Sequence, residues 1–397
     1  MKEKIVYFDN AATTKLHKEV IEAMLPYYEE HYGNPSSVYD FGNKVRNSID
    51  EARDKIANLL GVNSREIYFT SGATEANNWA VYGAVRRLKE KGNHIITTQI
   101  EHHAVLHPFE DLAKEGFEVT YVPVDEDGLV DLKYLKESIK DNTIFISVMA
   151  VNNEIGTIQP IKEIVDYAKS KNRDIIVHTD GVQLVGKQKV DIKELGVDLL
   201  SLSAHKIHGP KGVGALYIRK GLIIDNLLHG GGQERKKRPG TENVAGIIGL
   251  AKALEITLTN FDEKEKQILE LREYLIDEVL KRVPHVRLNG SRNKRIPGNA
   301  NFSFRFIEGE SMLLALDMYG ICASSGSACT SGSLDPSHVL LAIGLPHEIA
   351  HGSLRVSLSQ YSTKEEIDYL LDKLPGIIEN LRTMSPLYED FIKNKEV

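Results

Sequence analysis

A lysine, an aspartate and a small-residue turn stand out at the ends of three apolar runs of this chain. Lys206 follows "DLLSLSAH" and precedes a Gly/Pro loop, where a partly desolvated amine becomes a nucleophile. Asp180 ends "DIIVHTD", and "YFTSGATEANN" places a turn before a helix start near Thr74 that can bind an anion. Together they are the parts that pyridoxal phosphate (PLP) requires. Taken one at a time, each feature has a simpler interpretation: a surface lysine for Lys206, and a helix cap for Asp180 and for Thr74.

Histidines form a fourth candidate group in "TQIEHHAVLHP". His102 is suited to stack on a flat cofactor ring or to move protons. His103 and His107 have the i,i+4 spacing of metal ligands, but an HExxH glutamate and a third ligand are missing nearby. The pattern therefore predicts no resident metal, and capping or surface histidines remain the alternative.

The two cysteines stand in different surroundings. Cys329 lies in "SSGSACTSGS", a run of small polar residues that cannot build a core and is typical of a loop. Cys322 ends the apolar stretch "LLALDMYGICA" and is predicted to be a buried structural residue. Two cysteines cannot form a disulfide framework or a four-cysteine zinc site.

The bulk composition limits the function classes. The 397 residues are 42% hydrophobic and 26% charged, and the net charge of −7 argues against nucleic acid as a direct partner. Four consecutive basic residues, 235–238, are interpreted as part of a solvated loop. Apolar runs fall short of the roughly eighteen residues of a membrane helix, and the N-terminus lacks a secretory signal, so we expect a cytoplasmic protein without membrane contact.

Short β-branched runs alternate with helical patterns through most of the chain. The predicted strands are 66–70, 94–98, 118–122, 143–149, 174–180, 198–204 and 214–219. This alternation predicts an α/β fold with a mostly parallel seven-stranded sheet, whose ligands bind beyond the carboxyl ends of the strands.

Two domains are predicted. Residues 16–260 would form the large cofactor domain, and residues 261–397 a smaller α+β domain built from a long helix (261–283), the strands "NANFSFRF" and "SLRVSLS", and the helix "KEEIDYLLDKLPGIIENLRTM". Residues 1–15 and the N-terminal helix around 17–31 are expected to pack on the small domain.

In order along the chain, these stretches resemble the PLP-dependent cysteine desulfurases of the NifS/IscS type, within the class V aminotransferase family. The resemblance is nearly end to end and rests on "YFDNAATT", "GNPSS", "FTSGATE", "EHHAV", "VNNEIGTIQPI", "HTDGVQ", "SAHKIHGPKGVGALYIR", "HGGGQE", "SSGSACTS" and "LRVSLS". It implies the PLP-dependent transferase fold (fold type I), a homodimer, and the conversion of L-cysteine to L-alanine with formation of a persulfide.

The resemblance also implies roles for residues around the cofactor ring. Lys206 looks like the Schiff-base lysine, and Asp180 like the partner of the pyridine nitrogen. Gln183 would bond the ring hydroxyl, and His102 would stack on the ring and assist proton transfer. Cys329 resembles the nucleophile that takes the sulfur and can transiently ligate an iron–sulfur cluster.

Further roles implied by the resemblance concern the phosphate and the substrate. The residues that would hold the phosphate are Ala73, Thr74, Ser203 and His205, with Thr241 reaching over from the other subunit. The residues that would contact substrate are Asn153, which touches cofactor or substrate, and Asn34 and Arg355, which orient the carboxylate, Arg355 as a bidentate fork.

Sulfur acceptors are the remaining partners that the resemblance implies: an iron–sulfur scaffold protein, a tRNA-thiolation enzyme or an enzyme of cofactor biosynthesis. The end at "SPLYEDFIKNKEV" lacks the longer tail that cluster-assembly members use to dock the cluster scaffold. This difference weakens the case for an iron–sulfur scaffold protein as the sulfur acceptor. Two other functions stay open: a different PLP-dependent lyase or aminotransferase, such as a selenocysteine lyase, and a catalytically idle scaffold for sulfur-transfer partners.

Overall fold

The computed structural model describes residues 5–325 and 336–394. Its strands are β1 Val6–Tyr7, β2 Ile67–Thr70, β3 His94–Thr98, β4 Glu118–Val122, β5 Thr143–Ser147, β6 Ile176–Asp180, β7 Leu199–Ser203, β8 Gly214–Ile218, β9 Val286–Leu288, β10 Asn299–Phe304, β11 Ile321–Cys322 and β12 Ser353–Ser357. The helices are α1 Lys18–Met24, α2 Pro26–Glu29, α3 Asp40–Leu59, α4 Ala73–Leu88, α5 His103–Lys114, α6 Leu132–Ser138, α7 Ile161–Lys171, α8 Ile192–Leu195, α9 Gln233–Lys236, α10 Val244–Leu258, α11 Phe261–Arg282, α12 Gly309–Met318, α13 His338–Ala342, α14 His347–Ala350, α15 Lys364–Thr383 and α16 Pro386–Lys393.

A seven-stranded sheet in the order β2-β8-β7-β6-β5-β3-β4 forms the centre of the molecule. Strands β7, β6, β5, β3 and β4 are mutually parallel, whereas β8 runs antiparallel to both of its neighbours. The sequence prediction of a mostly parallel seven-stranded sheet is confirmed. The interior strands are buried along their whole length, as is typical of a parallel sheet that is covered on both faces.

Helices cover both faces of this sheet. Successive residues of β5 enter different cores, because side chains alternate along a strand. Phe145 packs with Trp79 of α4 and Phe109 of α5, and Ile146 packs in the cluster that contains Leu250 of α10. The sheet is therefore packed against a hydrophobic core on each of its two faces, which fixes the positions of its strand ends.

A smaller α+β unit follows α10. Its antiparallel sheet has the order β12-β10-β9, and β1 pairs in parallel with β11. Helices α11 and α15 cover it through a core that includes Leu275, Phe302 and Leu370. Helix α15 begins at a capping box, in which Thr363 and Glu366 each accept a hydrogen bond from the other's backbone N–H. The domain boundary at 260/261 stays a prediction.

The prediction that the N-terminal helix packs on the small unit is wrong. Val6 and Phe8 enter the small core, but Val20 and Met24 of α1 belong to the large core. Helix α1 lies against α10, where Gly249 permits close approach, because a Cβ there would lie 2.7 Å from Met24 Sδ. The apolar stripe of α1 is buried against the apolar helix α10. The stripe predicts that α1 packs against the protein, but it does not specify which of the two cores it packs on.

Within the described ranges, no single helix is long and apolar enough to cross a membrane. Helices α10 and α11 reach that length and apolarity only as a pair, and they are bent by 73° where they meet.

Candidate active site

Three strands of the large sheet end around one cavity of about 590 Å³. Strand β2 ends at Thr70, β6 at Asp180 and β7 at Ser203, and the turns that follow them line the cavity. Ligands of open α/β sheets bind at such an edge. Most predicted site residues line this cavity: Ala73, Thr74, His102, Asn153, Asp180, Gln183, Ser203, His205, Lys206 and Arg355.

Lys206 lies in a short 3-10 turn directly after β7. Its Nζ donates hydrogen bonds to the carbonyl oxygens of Ala11 and Ala12, at 2.6 and 2.7 Å. The N-terminal segment "NAATT" therefore closes over the lysine and holds its amine at the cavity wall. A lysine amine held in this way can act as a nucleophile towards an aldehyde once it loses its proton.

Asp180 is buried at the end of β6 and is held by two donors. Asn77 Nδ2 donates to its Oδ2 at 2.7 Å, and the Val182 N–H donates to its Oδ1 at 3.0 Å. Asn77 is a functional residue that the sequence analysis missed. Its position one turn into α4, after the turn singled out as an anion site, is the signal that was present.

The N-terminus of α4 provides the anion site. Gly72 precedes the helix with φ +156° and ψ −178°, a conformation essentially restricted to glycine. The first N–H groups of the helix, at Ala73 and Thr74, lie at the cavity. Across it, burial lowers the pKa of His205 to about 4, and Lys206, Lys211 and Lys187 act in the same direction. His205 is therefore a neutral hydrogen-bonding group at pH 7.

His102 is the N-cap of α5. Its Nδ1 accepts a hydrogen bond from the Ala104 N–H at 3.0 Å. Burial lowers the pKa of His102, Asp180 opposes this effect, and Lys206 adds to it. Because Nδ1 is an acceptor, the proton of the neutral ring is assigned to Nε2. The ring can therefore donate a hydrogen bond from Nε2.

Arg355 of β12 brings a guanidinium to the cavity from the small unit. Its Nη2 bonds Asp9 Oδ1 at 2.9 Å, and its Nη1 donates to the Asn153 carbonyl at 3.1 Å. The buried Nε has no hydrogen-bond partner among the residues that the structure describes. Asn152, also missed from the sequence, fixes the turn that presents Asn153: its Oδ1 accepts from the Glu154 and Ile155 N–H groups.

Two predicted residues lie away from this cavity. Asn34 and Thr241 line a separate surface pocket, together with Tyr28 and Tyr32. The single chain does not bring either of them to Lys206.

The basic run 235–238 is only partly a solvated loop. Arg238 forms an ion pair with Glu75, at 2.8 and 3.0 Å, and the Arg235 guanidinium lies over the Tyr68 ring at 4.1 Å. Two of the four charges are thus used within the protein, while Lys236 is exposed. This arrangement does not form a continuous basic patch.

Cys329 lies outside the described residues. On one side of that segment, Ser324 exchanges backbone hydrogen bonds with Arg355, at 3.2 and 2.6 Å. On the other side, His338 Nε2 contacts the Glu101 carbonyl at 2.9 Å. Cys322, predicted to be buried, is half-buried in β11.

Metal ligands are not assembled in the described part of the chain: it contains no group of three or more His, Cys, Asp or Glu side chains that could hold an ion. His103 and His107 lie with ring centroids 4.9 Å apart, and His338 lies 5.0 Å from His103. Burial lowers the pKa of both His103 and His338.

The residues around the large cavity fit PLP. An amine (Lys206) can meet the aldehyde, a buried carboxylate (Asp180) can meet the ring nitrogen, and the α4 N-terminus can meet the phosphate. Asn77 Oδ1 and Arg355 Nε are buried polar atoms that lack a partner in the described ranges, as expected where a polar ligand completes the site.

Comparison with known proteins agrees with this geometry. The family model described as "Aminotransferase class-V" matches residues 6–370. "Cysteine desulfurase IscS" of Clostridium botulinum is 56% identical over 395 residues, 99% of each chain. The protein of that name from Dictyoglomus turgidum is 56% identical over 391 residues, which are 98% of this chain and 99% of that one. A solved structure named "NIFS-LIKE PROTEIN" has a TM-score of 0.90 at 42% identity and covers 95% of this chain and 100% of that chain. The predicted fold, PLP-dependent transferase fold type I, is confirmed, and the chain belongs to the class-V aminotransferase family.

Proposed function

We propose that this protein is a PLP-dependent cysteine desulfurase, which converts L-cysteine to L-alanine and takes the sulfur on Cys329 as a persulfide. The observation that carries the proposal is the single cavity at which the Lys206 amine, the Asp180 carboxylate and the Arg355 guanidinium meet. Relatives named cysteine desulfurase, at 56% identity over nearly the whole chain, support this reaction.

The cofactor would be held by side chains already in place. Bound PLP supplies an electron sink for the electron pair left on the substrate α-carbon. Lys206 would attach it covalently, and Asp180, oriented by Asn77, would keep a proton on the ring nitrogen. The phosphate ligands we propose are Ala73, Thr74, Ser203 and His205.

Arg355 would bind the substrate carboxylate. Its two terminal nitrogens are engaged with Asp9 and the Asn153 carbonyl, which fixes the guanidinium plane. Nε remains as a buried donor without a partner in the described chain, so we assign it to a substrate carboxylate oxygen. The Asn153 side chain also lines the cavity and would contact cofactor or substrate.

Two groups would take part in proton transfer. We assign removal of the substrate α-proton to the Lys206 amine, which its two carbonyl acceptors hold at the cavity wall. His102 would assist this transfer by donating a hydrogen bond from Nε2, because its Nδ1 is used as a helix cap. Burial favours the neutral form of His102, in which Nδ1 stays an acceptor and Nε2 a donor.

Sulfur transfer would use the Cys329 thiolate, the nucleophilic form of a thiol. The bond between the substrate sulfur and Cβ breaks, and a bond forms between that sulfur and Cys329 Sγ. Cβ keeps the electron pair and takes a proton, so L-cysteine and one thiol yield L-alanine and one persulfide. The substrate sulfur is oxidised and its carbon is reduced, without an external oxidant.

We propose that the active protein is a homodimer. Helices α1 and α2 and the following loop expose large apolar side chains, including Tyr28, Tyr32 and Val38, next to the pocket that contains Asn34 and Thr241. Burying such a patch against a second copy would be favourable. It would also let Asn34 and Thr241 reach the partner's cavity, which their own chain does not allow.

The persulfide would serve acceptor proteins: an iron–sulfur scaffold, a tRNA-thiolation enzyme or an enzyme of cofactor biosynthesis. Transient ligation of a cluster by Cys329 would be part of the first route, and the cluster would be cargo. We propose that this chemistry takes place in the cytoplasm.

Two cysteine variants test this proposal directly. The C329S and C322S variants, purified with PLP, are supplied with L-cysteine, and alanine and protein-bound persulfide are measured. C329S is expected to lose persulfide and most alanine production, and C322S to keep both, because Cys322 lies in β11. Full alanine production by C329S would contradict the proposal. The K206A variant should lose the visible absorption of the bound cofactor.

A further inference from the structure

A buried lysine behind the cofactor cavity has no part in the reaction described so far. Lys187 lines a smaller cavity of about 80 Å³ between the large and small units, which Lys206 and Ala11 also reach. The Lys187 side chain is half-buried overall, but its terminal nitrogen is enclosed. Enclosing an amine is costly unless it is used, so this lysine needs an explanation.

Among the described residues, Gln183 accepts a hydrogen bond from the Lys187 amine. Lys187 Nζ donates a short hydrogen bond to Gln183 Oε1. The other end of the same amide, Nε2, donates to the Ala11 carbonyl at 3.1 Å. Gln183 lines the large cavity and is 3% exposed, whereas Lys187 does not line that cavity.

We infer that Lys187 is a positioning residue, which holds the Gln183 amide with its oxygen turned away from the cofactor and its nitrogen turned towards it. The inference rests on the proposed function and on the role that the family resemblance implies for Gln183, a hydrogen bond to the ring hydroxyl of PLP. A flipped amide would place two donors, Lys187 Nζ and Gln183 Nε2, against each other, and would turn an acceptor to the negatively charged ring oxygen.

The Ala11 carbonyl alone does little to fix the orientation of the Gln183 amide. Its carbonyl also accepts a hydrogen bond from Lys206 at 2.6 Å, so it is shared with the residue that would carry the cofactor. Lys187, four residues after Gln183 in the chain, has no such second hydrogen bond among the described residues. The amide orientation therefore depends chiefly on Lys187.

The charges around Lys187 favour a hydrogen bond over an ion pair. Burial lowers its pKa to about 7, and Lys206 and then Arg355 act in the same direction. His208 and Lys264 line the small cavity as well, and Glu265 is the carboxylate among its lining residues. The protonated amine has three N–H donors and no acceptor, so it can bond the Gln183 amide only through Oε1.

The test is the pH titration of the visible absorption band of the bound cofactor. A donor to the ring oxygen stabilises its negative charge and so favours loss of the proton from the lysine–cofactor linkage. K187M is expected to raise the midpoint by about one pH unit, the equivalent of one hydrogen bond to a charged group. K264M is the matched control, because Lys264 lines the same cavity but donates to the Ile256 carbonyl at 2.7 Å; it should leave the midpoint unchanged.

A double-variant cycle separates positioning from a through-space charge effect. In a Q183A background, K187M should cause no further shift, because the amide on which Lys187 acts is gone. K187Q, which keeps a donor but never a charge, should titrate like the wild type. An unchanged midpoint in K187M, an equal shift in the Q183A background, or a K187Q midpoint that matches K187M would each overturn the inference.

K187Q decides alone if K187M cannot be isolated with cofactor: the wild-type midpoint supports the inference, and a raised midpoint contradicts it. A wild-type protein without a visible band would instead contradict the proposed function.

Discussion

Replacing Asn77 by alanine tests whether the Asp180 carboxylate is held ready for the cofactor. Asn77 Nδ2 and Asp180 Oδ2 are 2.7 Å apart in a buried site. A hydrogen bond to a charged group contributes about 1.5–3 kcal/mol. The same substitution removes Oδ1, a buried atom without a partner in the described chain, whose burial costs about 1–3 kcal/mol. The two effects oppose each other in the apoprotein, so its unfolding free energy should change by no more than about 2 kcal/mol.

Cofactor affinity should respond more strongly than stability. Without Asn77, Asp180 can turn to other donors, and it must be reoriented when the ring nitrogen binds. The cost is at most that of the lost hydrogen bond, so we expect the Kd of the apoprotein for PLP to rise roughly ten- to hundredfold. The assay is titration of the apoprotein with PLP, followed by absorbance.

Asn78 provides the matched control on the same helix. Its Nδ2 donates to the Thr74 and Ala104 carbonyls, at 2.9 and 3.2 Å, and does not contact Asp180. The N78A variant should bind PLP much more tightly than N77A. Equal affinities of N77A and N78A would refute the role given to Asn77.

Three further predictions concern the substrate, buried charge and packing. R355K should raise KM for L-cysteine roughly ten- to hundredfold with a smaller change in kcat, because a lysine keeps the charge but cannot place an Nε–H donor in the fixed guanidinium plane; steady-state kinetics decide this, and an unchanged KM would count against the carboxylate assignment. Burial raises the pKa of Glu101 to about 8 from an ordinary value of 4.5, so the folded state binds the extra proton and stability is lost as pH rises through this range. The unfolding free energy of E101Q, measured with denaturant, should therefore rise relative to that of the wild type between pH 5 and 8, by at most about 1.4 kcal/mol per pH unit. A difference in unfolding free energy that stays constant over this pH range would contradict the prediction. G249V should cost about 1–3 kcal/mol in thermal unfolding, since its side chain would press on Met24 and Pro210, and an unchanged Tm would argue against that contact.

The large sheet was predictable because its strands are buried on both faces. Runs such as Ile176–Asp180 and Leu199–Ser203 begin with apolar residues, and each ends in a polar residue where the cavity begins. Strands β1, β9 and β11 have only two or three residues, too few for a periodic pattern, and were not predicted. Helix α1 shows a different limit: its apolar stripe indicates that it packs, but not on which core.

Most side chains of the candidate site were predicted by position, whereas those that orient them were not. Lys206, Asp180 and Arg355 carry chemistry in their residue types. Asn77 and Lys187 are ordinary helix or turn residues in the sequence and gain meaning only through contacts with Asp180 and Gln183. Such contacts join segments distant along the chain, or depend on a side-chain direction that sequence spacing does not fix.

The central claim is that the amine at the end of β7 carries the cofactor. Borohydride reduction of the holoprotein, followed by proteolysis and mass spectrometry, locates the modified lysine directly. The account predicts a pyridoxyl group on Lys206. A label on Lys187 or Lys211, which also lie near this cavity, or no label on any lysine, would contradict it.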